Sequence, residues 1–508
     1  MKQGNDRGRG RHHDGRRNTP KLSGKPSKAE QLSFWQDLFP DAPAKDCPPA
    51  AGYRNNSSLN NAGSNGNYWS SSLNENNSNN ARNLNFNSSN HNTNNNNRYN
   101  GQSVRPVTAL TRTQLLADLY VAYRDARRHK RSRDYQLKFE INLEEMLCQL
   151  CDELQNGTYR PGVSSAFIVY EPKQREVFAA EFRDRVVHHL YYNYTHELFE
   201  RTFIQDTYSC IKGRGTHYGA DRLEKHIRQE SHNYTHPCYV LKMDIQGYFI
   251  NINRRRLLEV CLDTLEHMRC HKSDKKGMTW GEVLDYDFIR YLTEVIVLYN
   301  PLEDYRFRAQ RSDWEGLPKN KSLFYADADC GLPIGNLTSQ LFSNVYLNRL
   351  DQFVKRELKC RHYGRYVDDF YIVSSDKEYL RTLIPQIQDF LSNELSLSLH
   401  QQKTKIYDAY NGIEFLGQFI LPYRRYCSNR SLDRIKRGLD CIRQHNVYDE
   451  ELLLSQVNSY LGILGHTRSH RQLMQLVRKH RWIFRFGCFV RGWHLFKLYK
   501  SFAIPNHR

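Results

Sequence analysis

The sequence has 508 residues, with 74 Lys and Arg against 55 Asp and Glu, so its formal net charge is +19 and its pI is near 9.3. Such a length suffices for two or three domains, and the positive charge favours a polyanionic partner. The sequence contains neither a signal peptide nor an apolar run of about 18 residues, which argues against a membrane-spanning chain and predicts a cytoplasmic protein without a membrane partner.

The first 107 residues have the composition of a disordered region. Residues 1 to about 30 are rich in Arg, Lys, Gly and His and predict a basic arm. The stretch from Tyr53 to Asn100 contains 21 Asn. A segment of this kind cannot bury enough apolar surface to offset its chain entropy, so we expect that it does not fold stably by itself.

Helical patterns follow the low-complexity region. Apolar residues recur at helical spacing from Leu115 to Tyr123, and a second amphipathic pattern contains Cys148 and Cys151. We interpret the twelve Cys as reduced thiols, because no second pair or nearby His completes a zinc site. A strand is then predicted at residues 166–170, and a Gly-rich basic loop at residues 211–217 leads into a helix.

Acidic residues follow two apolar strands. One strand ends in Asp244, and residues 365–373 have the pattern of a hairpin whose turn contains Asp368 and Asp369. A turn can hold such acids without burying them. Carboxylates about 4 Å apart repel by roughly 1 to 4 kcal/mol, so we predict a cation there, and three carboxylates would suit two Mg²⁺ ions. On these residues alone, a solvated loop remains the alternative.

The rest of the chain contains a long insertion and a basic end. Residues 253–330 show helical patterns in which we identify no chemistry. From residue 421 to residue 508 there are 17 Lys and Arg against 5 Asp and Glu, and this local excess of positive charge is typical of a segment that binds nucleic acid. Residues 431–500 have the pattern of basic amphipathic helices.

Three motifs in chain order resemble the reverse transcriptases. They are Asp244 with Phe249 five residues later, residues 331–340 (Gly-Leu-Pro-Ile-Gly-Asn-Leu-Thr-Ser-Gln), and the Tyr-Val-Asp-Asp that ends at Asp369. The resemblance extends from about residue 159 to the C-terminus. It implies an α+β fold with the shape of a right hand, preceded by a disordered region in 1–107. N-terminal helices and fingers are expected in 108–235, and a palm of antiparallel sheet and helices in 236–430, with the insertion 253–330. A basic helical thumb is expected in 431–508.

The resemblance also implies an RNA-directed DNA polymerase and assigns roles to its residues. Asp244, Asp368 and Asp369 are expected to catalyse the reaction and to bind two Mg²⁺ ions. Asp369 is expected to be a weaker metal ligand than the other two acids, and the Ile245 carbonyl is a further ligand. The residues expected at the incoming dNTP are Lys173, Arg175, Arg183, Phe249, Ile334 and Gly335, with Arg185 as a neighbour. The residues expected at template and primer are Lys212, Arg214, Ser339, Gln340, Lys403 and Gly417. A surface charge without a ligand is the alternative for the basic fingers residues.

Two positions resemble one subgroup within the group II intron and retron-like superfamily. Ile334 and Gln340 stand where most relatives have Gln and Pro, and this form resembles the enzymes of diversity-generating retroelements, which copy template adenines with low fidelity. The resemblance implies a bacterial or phage-encoded enzyme that acts on template RNA, the cDNA/RNA duplex and dNTPs with a small basic accessory protein. The alternatives are an intron or retron-type reverse transcriptase, or a catalytically silent RNA-binding protein of the maturase kind.

The Asn-rich stretch looks like the variable tail of the lectin-like proteins that such elements diversify. Aromatic and basic residues, among them Tyr68-Trp69 and Arg105-Pro106, stand between the Asn residues. Asn codons carry adenine at both positions that specify the residue, so residues 53–107 are interpreted as a translated template repeat whose working form is RNA. A solvated Asn-rich linker is the alternative.

Overall fold

The computed structural model describes side chains over residues 110–128, 133–170, 173–274, 277–308, 310–444 and 450–499. Between residues 53 and 102 it describes only the backbone of six strands, β1 Tyr53–Asn55, β2 Ser58–Asn60, β3 Asn65–Leu73, β4 Asn80–Asn87, β5 His91–Asn97 and β6 Gly101–Gln102. They form two antiparallel sheets, β2-β1-β6 and β3-β4-β5. The predicted basic arm lies outside the described residues, and the prediction that the Asn-rich segment does not fold stably by itself stays a prediction.

The helices α1 Arg112–Arg127 and α2 Asp134–Ile141 pack against the long helix α4 Phe182–Glu200, and α3 Leu143–Gln155 packs against α1 and α2. The apolar spacing of the sequence becomes a buried face on α1, where Leu115, Leu116 and Leu119 are at most 1% exposed. Thr111 begins α1 as an N-cap, because its hydroxyl accepts the amide of Gln114 at 3.2 Å.

The fingers contain a three-stranded sheet. Strands β7 Ser164–Val169 and β8 Arg175–Ala179 are antiparallel, and β10 Tyr305–Phe307 pairs with β7 in parallel. The predicted insertion contributes the helices α7 Arg254–Arg269, α8 Trp280–Val283 and α9 Tyr286–Leu298. Since β10 follows α9 in the chain, the end of the insertion is part of the fingers sheet, which the sequence did not predict.

The palm sheet has the order β11-β12-β9-β13 and is antiparallel throughout. Its strands are β9 Tyr239–Asp244, β11 His362–Tyr366, β12 Asp369–Ser374 and β13 Lys405–Asp408, and the neighbouring helices are α5 Thr216–Glu230, α6 Tyr248–Asn251, α10 Leu337–Gln352 and α11 Lys377–Leu395. Leu241 and Phe370 lie in the main core, whereas Val240 and Tyr371 belong to a second apolar cluster. Both faces are therefore covered, which explains the nearly continuous apolar runs of β9 and β12.

The C-terminal part has its own core, to which Leu432, Leu461 and Phe496 belong. It follows a small antiparallel sheet of β14 Ile413–Phe415, β15 Gln418–Leu421 and β16 Arg424–Cys427, and it contains α12 Asn429–Gln444, α13 Glu450–Gly465 and α14 His470–Lys479. The predicted helical thumb also contains a hairpin of β17 Gly487–Val490 and β18 Leu495–Leu498, whose Phe496 is buried against α13.

The α+β fold class is confirmed by these helices and antiparallel sheets. The predicted domain boundaries stay predictions. Within the described ranges, all eleven cysteines are free and no helix is long and apolar enough to cross a membrane.

Candidate active site

The strand pairing of the palm brings the three predicted acids together. In the β12–β9 ladder Asp369 lies directly opposite Asp244, and Asp368 belongs to the two-residue connection between β11 and β12. The amide of Ile245 donates to the carbonyl of Asp368 at 3.2 Å, so the backbone after Asp244 is bonded to the turn. All three carboxylates therefore occupy the same end of the sheet.

The turn that contains Asp368 has a strained backbone. Val367, the residue before it, has a φ of +55°, a left-handed conformation that is unfavourable for a β-branched side chain. Two hydrogen bonds hold it, one from Arg365 Nη1 to the Val367 carbonyl at 3.0 Å and one from the Val367 amide to Ser209 Oγ at 3.2 Å. The surrounding structure thus fixes the residue that precedes the central acid.

Arg365 is itself part of a buried ion pair with Asp351. Both side chains are 0% exposed, and the guanidinium donates through Nε at 2.7 Å and Nη2 at 2.6 Å to the two carboxylate oxygens. The hydroxyls of Tyr363 and Thr207 donate to the same carboxylate at 2.6 and 3.0 Å. Sequence reasoning missed this support, although an Arg inside an apolar strand was a signal that a buried acid had to accompany it.

Lysine side chains pair with the two strand acids. Lys403 Nζ lies 2.8 Å from Asp244 Oδ1, and Lys242 Nζ lies 3.2 Å from Asp369 Oδ2. The other oxygen of Asp369, Oδ1, is buried without a hydrogen-bond partner. Lys403 thus contacts a predicted metal ligand, and its expected role at template and primer stays a prediction.

The turn leaves its two acids partly exposed, and the side chain of Asp369 is 23% exposed. Burial raises the pKa of Asp368 to about 6, and the negative charge of Asp244 adds to the effect. Burial likewise raises the pKa of Asp369 to about 6, although Lys242 opposes the shift. Desolvation and like charge both make this site unfavourable for bare carboxylates.

Basic side chains from distant parts of the chain surround the predicted Lys173. Lys173 and Arg175 are exposed at the start of β8, and the charge of Arg175 acts on Asp368. Desolvation, followed by the charges of four neighbours, lowers the pKa of Lys173; these neighbours are Arg430, Lys403, Lys321 and Arg175. A cationic cluster thus lies beside the acids, and neither Lys321 nor Arg430 was predicted in it.

Arg183 and Arg185 make structural contacts instead. Arg183 forms an ion pair with Glu153 and lies 5.3 Å from the centre of the Tyr159 ring. Arg185 donates through Nε to the Ala180 carbonyl at 2.9 Å. These contacts hold α4 to neighbouring segments, so the triphosphate role predicted for Arg183 has no support from them and stays a prediction.

The loop before α10 contacts the fingers through its backbone. The Phe178 amide donates to the Ile334 carbonyl at 3.1 Å, and a Cβ at Gly335, whose φ is +126°, would lie 2.8 Å from Val177 Cγ1. Gly335 is thus required for close approach to β8. Phe249 is half-buried, and its carbonyl accepts the Leu332 amide at 2.8 Å, so the loop also joins the segment after Asp244.

The residues predicted at template and primer lie in several environments. Lys212 and Gln340 are exposed, whereas Ser339 is buried. Arg214 Nη1 donates to the carbonyls of Ile204 and Thr207 at 3.0 and 2.9 Å. The carbonyl of Gly417 accepts the Ser428 amide at 3.0 Å and the Ser431 hydroxyl at 3.2 Å, which ties β14 and β15 to the start of α12.

Part of the chain matches a known protein family. Residues 173–420 match the family described as reverse transcriptase (RNA-dependent DNA polymerase). Protein YkfC of Escherichia coli K12 is 24% identical over 323 residues, which cover 56% of this chain and 74% of YkfC.

Solved telomerase structures are also similar. The apo telomerase of Candida tropicalis, truncated from its C-terminal domain, matches with a TM-score of 0.38 and 12% identity over 52% of this chain and 55% of that one. The Candida albicans telomerase in complex with a TWJ fragment of telomeric RNA matches with a TM-score of 0.37 and 11% identity over 65% of this chain and 58% of that one. The chain thus spans little more than half the length of these telomerases.

The match over residues 173–420 contains both the palm acids and the basic start of β8. Residues 173–420 therefore match a reverse transcriptase domain, which indicates an RNA-directed DNA polymerase, a nucleotidyltransferase.

Proposed function

We propose that this chain extends a DNA primer on an RNA template, with Asp244, Asp368 and Asp369 as its catalytic acids. One observation carries the proposal: the β12–β9 register sets Asp369 opposite Asp244, with Asp368 in the adjoining turn. Lys173 and Arg175 lie beside this end of the sheet and suit a triphosphate, because several cations together neutralise adjacent phosphate oxygens.

Reverse transcriptase domains use divalent metal ions. Among the described residues no three His, Cys, Asp or Glu side chains are grouped to hold one, and Lys403 and Lys242 pair with two of the acids. The chemistry of the acids nevertheless suits a hard cation: Asp369 Oδ1 is buried without a partner, and burial raises the pKa of Asp368. Asp244, Asp368 and the Ile245 carbonyl would hold two Mg²⁺ ions, with Asp369 as a weaker ligand, and the ions would supply positive charge at the primer hydroxyl and at the leaving group.

Other residues of the chain would orient the substrates. Phe249, five residues after Asp244, would stand against the 2′ position of the incoming sugar and select deoxynucleotides. Gly335 brings its loop against β8, so the loop under the templating base and the triphosphate-binding strand form one surface. The basic residues after residue 421 would contact the phosphates of the template and the duplex.

Neutralising Asp368 is expected to stabilise the protein when chelator removes divalent ions. A folded pKa of about 6 lies above that of an unfolded Asp, about 4, so the unfolding free energy falls as pH rises from about 4 to about 6. At pH 8 with EDTA, Asp368→Asn should therefore raise the melting midpoint by about 2 °C, and the difference should shrink at pH 5. Asp389→Asn, at an exposed position of α11, is the control. Equal midpoints for wild type and Asp368→Asn at pH 8 would contradict the assigned burial.

The same substitution tests the catalytic assignment. Asp368→Asn keeps size and hydrogen bonding but removes a metal-binding charge, so Mg²⁺-dependent primer extension should fall below about 1% of wild type, as the loss of a metal ligand predicts. RNA affinity, measured by filter binding, should stay within about twofold. Asp389→Asn should extend like wild type.

Extension by Asp368→Asn at a few per cent of wild type would refute the assignment. A wild-type protein that binds RNA but extends no primer would instead favour the catalytically silent alternative.

We further propose that the enzyme belongs to a diversity-generating retroelement and copies template adenines inaccurately. Ile334 and Gln340 support this subgroup by resemblance, and the Ile334 side chain is only half-buried where its loop meets the fingers. A small basic accessory protein would act with the enzyme on a structured template RNA. An intron or retron-type enzyme is the competing proposal.

Ile334→Gln is expected to lower misincorporation opposite template adenine more than opposite the other bases. An apolar side chain offers no amide hydrogen bonds beside the nascent pair, whereas Gln can donate and accept them. Sequencing of cDNA from one RNA template, copied by wild type, Ile334→Gln and Ile334→Val, measures the spectrum. Val keeps the apolar character and is the control, and an unchanged spectrum in the Gln variant would count against the idea.

We also propose that residues 53–107 are a translated template repeat. Adenine-directed errors in Asn codons produce many amino acids and no stop codon, which suits the 21 Asn between Tyr53 and Asn100. The neighbouring DNA is therefore expected to contain a near-copy of this stretch at the end of another reading frame, differing almost only where the template has adenine. Differences spread evenly over all four bases, or the absence of a copy, would favour a simple Asn-rich linker.

A further inference from the structure

The end of the insertion, residues 303–325, is built into the fingers. Its strand β10 pairs with β7, and its aromatic rings pack with a ring of β8. Phe178 of β8 has ring centres of Tyr305 at 6.1 Å and Phe324 at 5.6 Å, and Trp314 packs on Phe307 at 5.1 Å. The segment thus shares an apolar core with the strand that begins at Arg175.

A buried acid on β8 fixes the same segment. Glu176 is 4% exposed and accepts three hydrogen bonds from the segment: Trp314 Nε1 at 2.7 Å, Ser322 Oγ at 2.7 Å and the Leu323 amide at 2.6 Å. A buried carboxylate is expensive without such donors, and these three span the turn between Trp314 and Leu323. The turn is therefore held in one position relative to Lys173 and Arg175.

The turn so fixed, Lys319–Lys321, lies against the segment that follows the first catalytic acid. Gly247, three residues after Asp244, has a φ of +56°, and a Cβ there would lie 3.2 Å from the Asn320 carbonyl oxygen. Both lysines of the turn are exposed, but Lys319 Nζ lies 5.3 Å from the centre of the Tyr325 ring, while Lys321 is one of the charges that act on Lys173.

We propose that Lys321 is a further nucleotide-binding residue, which contacts the triphosphate of the incoming dNTP together with Lys173 and Arg175. The proposal rests on the proposed function, because it assigns a residue of the insertion to the same substrate site. Its basis is the position of Lys321 on a turn that is anchored by Glu176 and packed against Gly247. The insertion would thus supply one wall of the nucleotide site.

Steady-state extension of an oligo(dT) primer on poly(rA), with dTTP varied and the full chain at fixed Mg²⁺, tests the proposal. Lys321→Gln should raise KM for dTTP about tenfold and leave kcat within about twofold, because a charged contact made equally in ground and transition states is lost. Lys321→Arg keeps the charge and should restore most of the affinity. Lys319→Gln, which removes a charge two residues away, is the matched control and should behave like wild type.

Equilibrium binding measurements distinguish a failure of the proposal for Lys321 from a failure of the proposed polymerase function. With a primer ended by a dideoxynucleotide, dTTP affinity should fall about tenfold in Lys321→Gln, while the affinity for the primer and template stays unchanged. An unchanged dTTP affinity, an equal loss in Lys319→Gln, or a loss confined to primer and template binding would overturn the proposal. A wild-type chain that extends no primer would instead refute the proposed function.

Discussion

The buried ion pair between Arg365 and Asp351 fixes the turn that presents Asp368. A left-handed Val367 costs on the order of 1 to 3 kcal/mol, and it persists only because Arg365 donates to its carbonyl and Ser209 accepts its amide. Removing one partner of a buried pair leaves an uncompensated charge and costs about 3 to 5 kcal/mol. The fold can therefore hold this strain, and the position of the central acid depends on residues that never contact a substrate.

A second constraint is the convergence of cations from separate parts of the chain. Around Lys173 lie Arg175 of β8, Lys321 of the insertion, Lys403 before β13 and Arg430 of α12. Like charges repel, so a fold does not gather them for stability alone. Because these groups come from the fingers, the palm and the start of the thumb, a bound polyanion would connect all three parts.

The sequence predicted the features that are set locally. The alternation of apolar residues and the acidic turn gave the β11–β12 hairpin, and the apolar run before Asp244 gave β9, because both patterns depend on neighbours in the chain. The pairing of β10 with β7 and the bonds to Glu176 join residues about 140 apart and have no local signal. The partial burial of the acids has no local signal either, since it depends on what packs over the turn.

The lysine partners distinguish the two acids of the strands. Lys403 is 52% exposed, so it can leave Asp244 for water at little cost, and a divalent cation can take its place. Lys242 is 24% exposed and also donates to the Glu414 carbonyl at 3.2 Å, so its departure from Asp369 would leave a half-buried charge and a carbonyl without their partner. In the proposed metal site Asp244 and Asp368 would therefore be the better ligands, and Asp369 would be suited to electrostatic support.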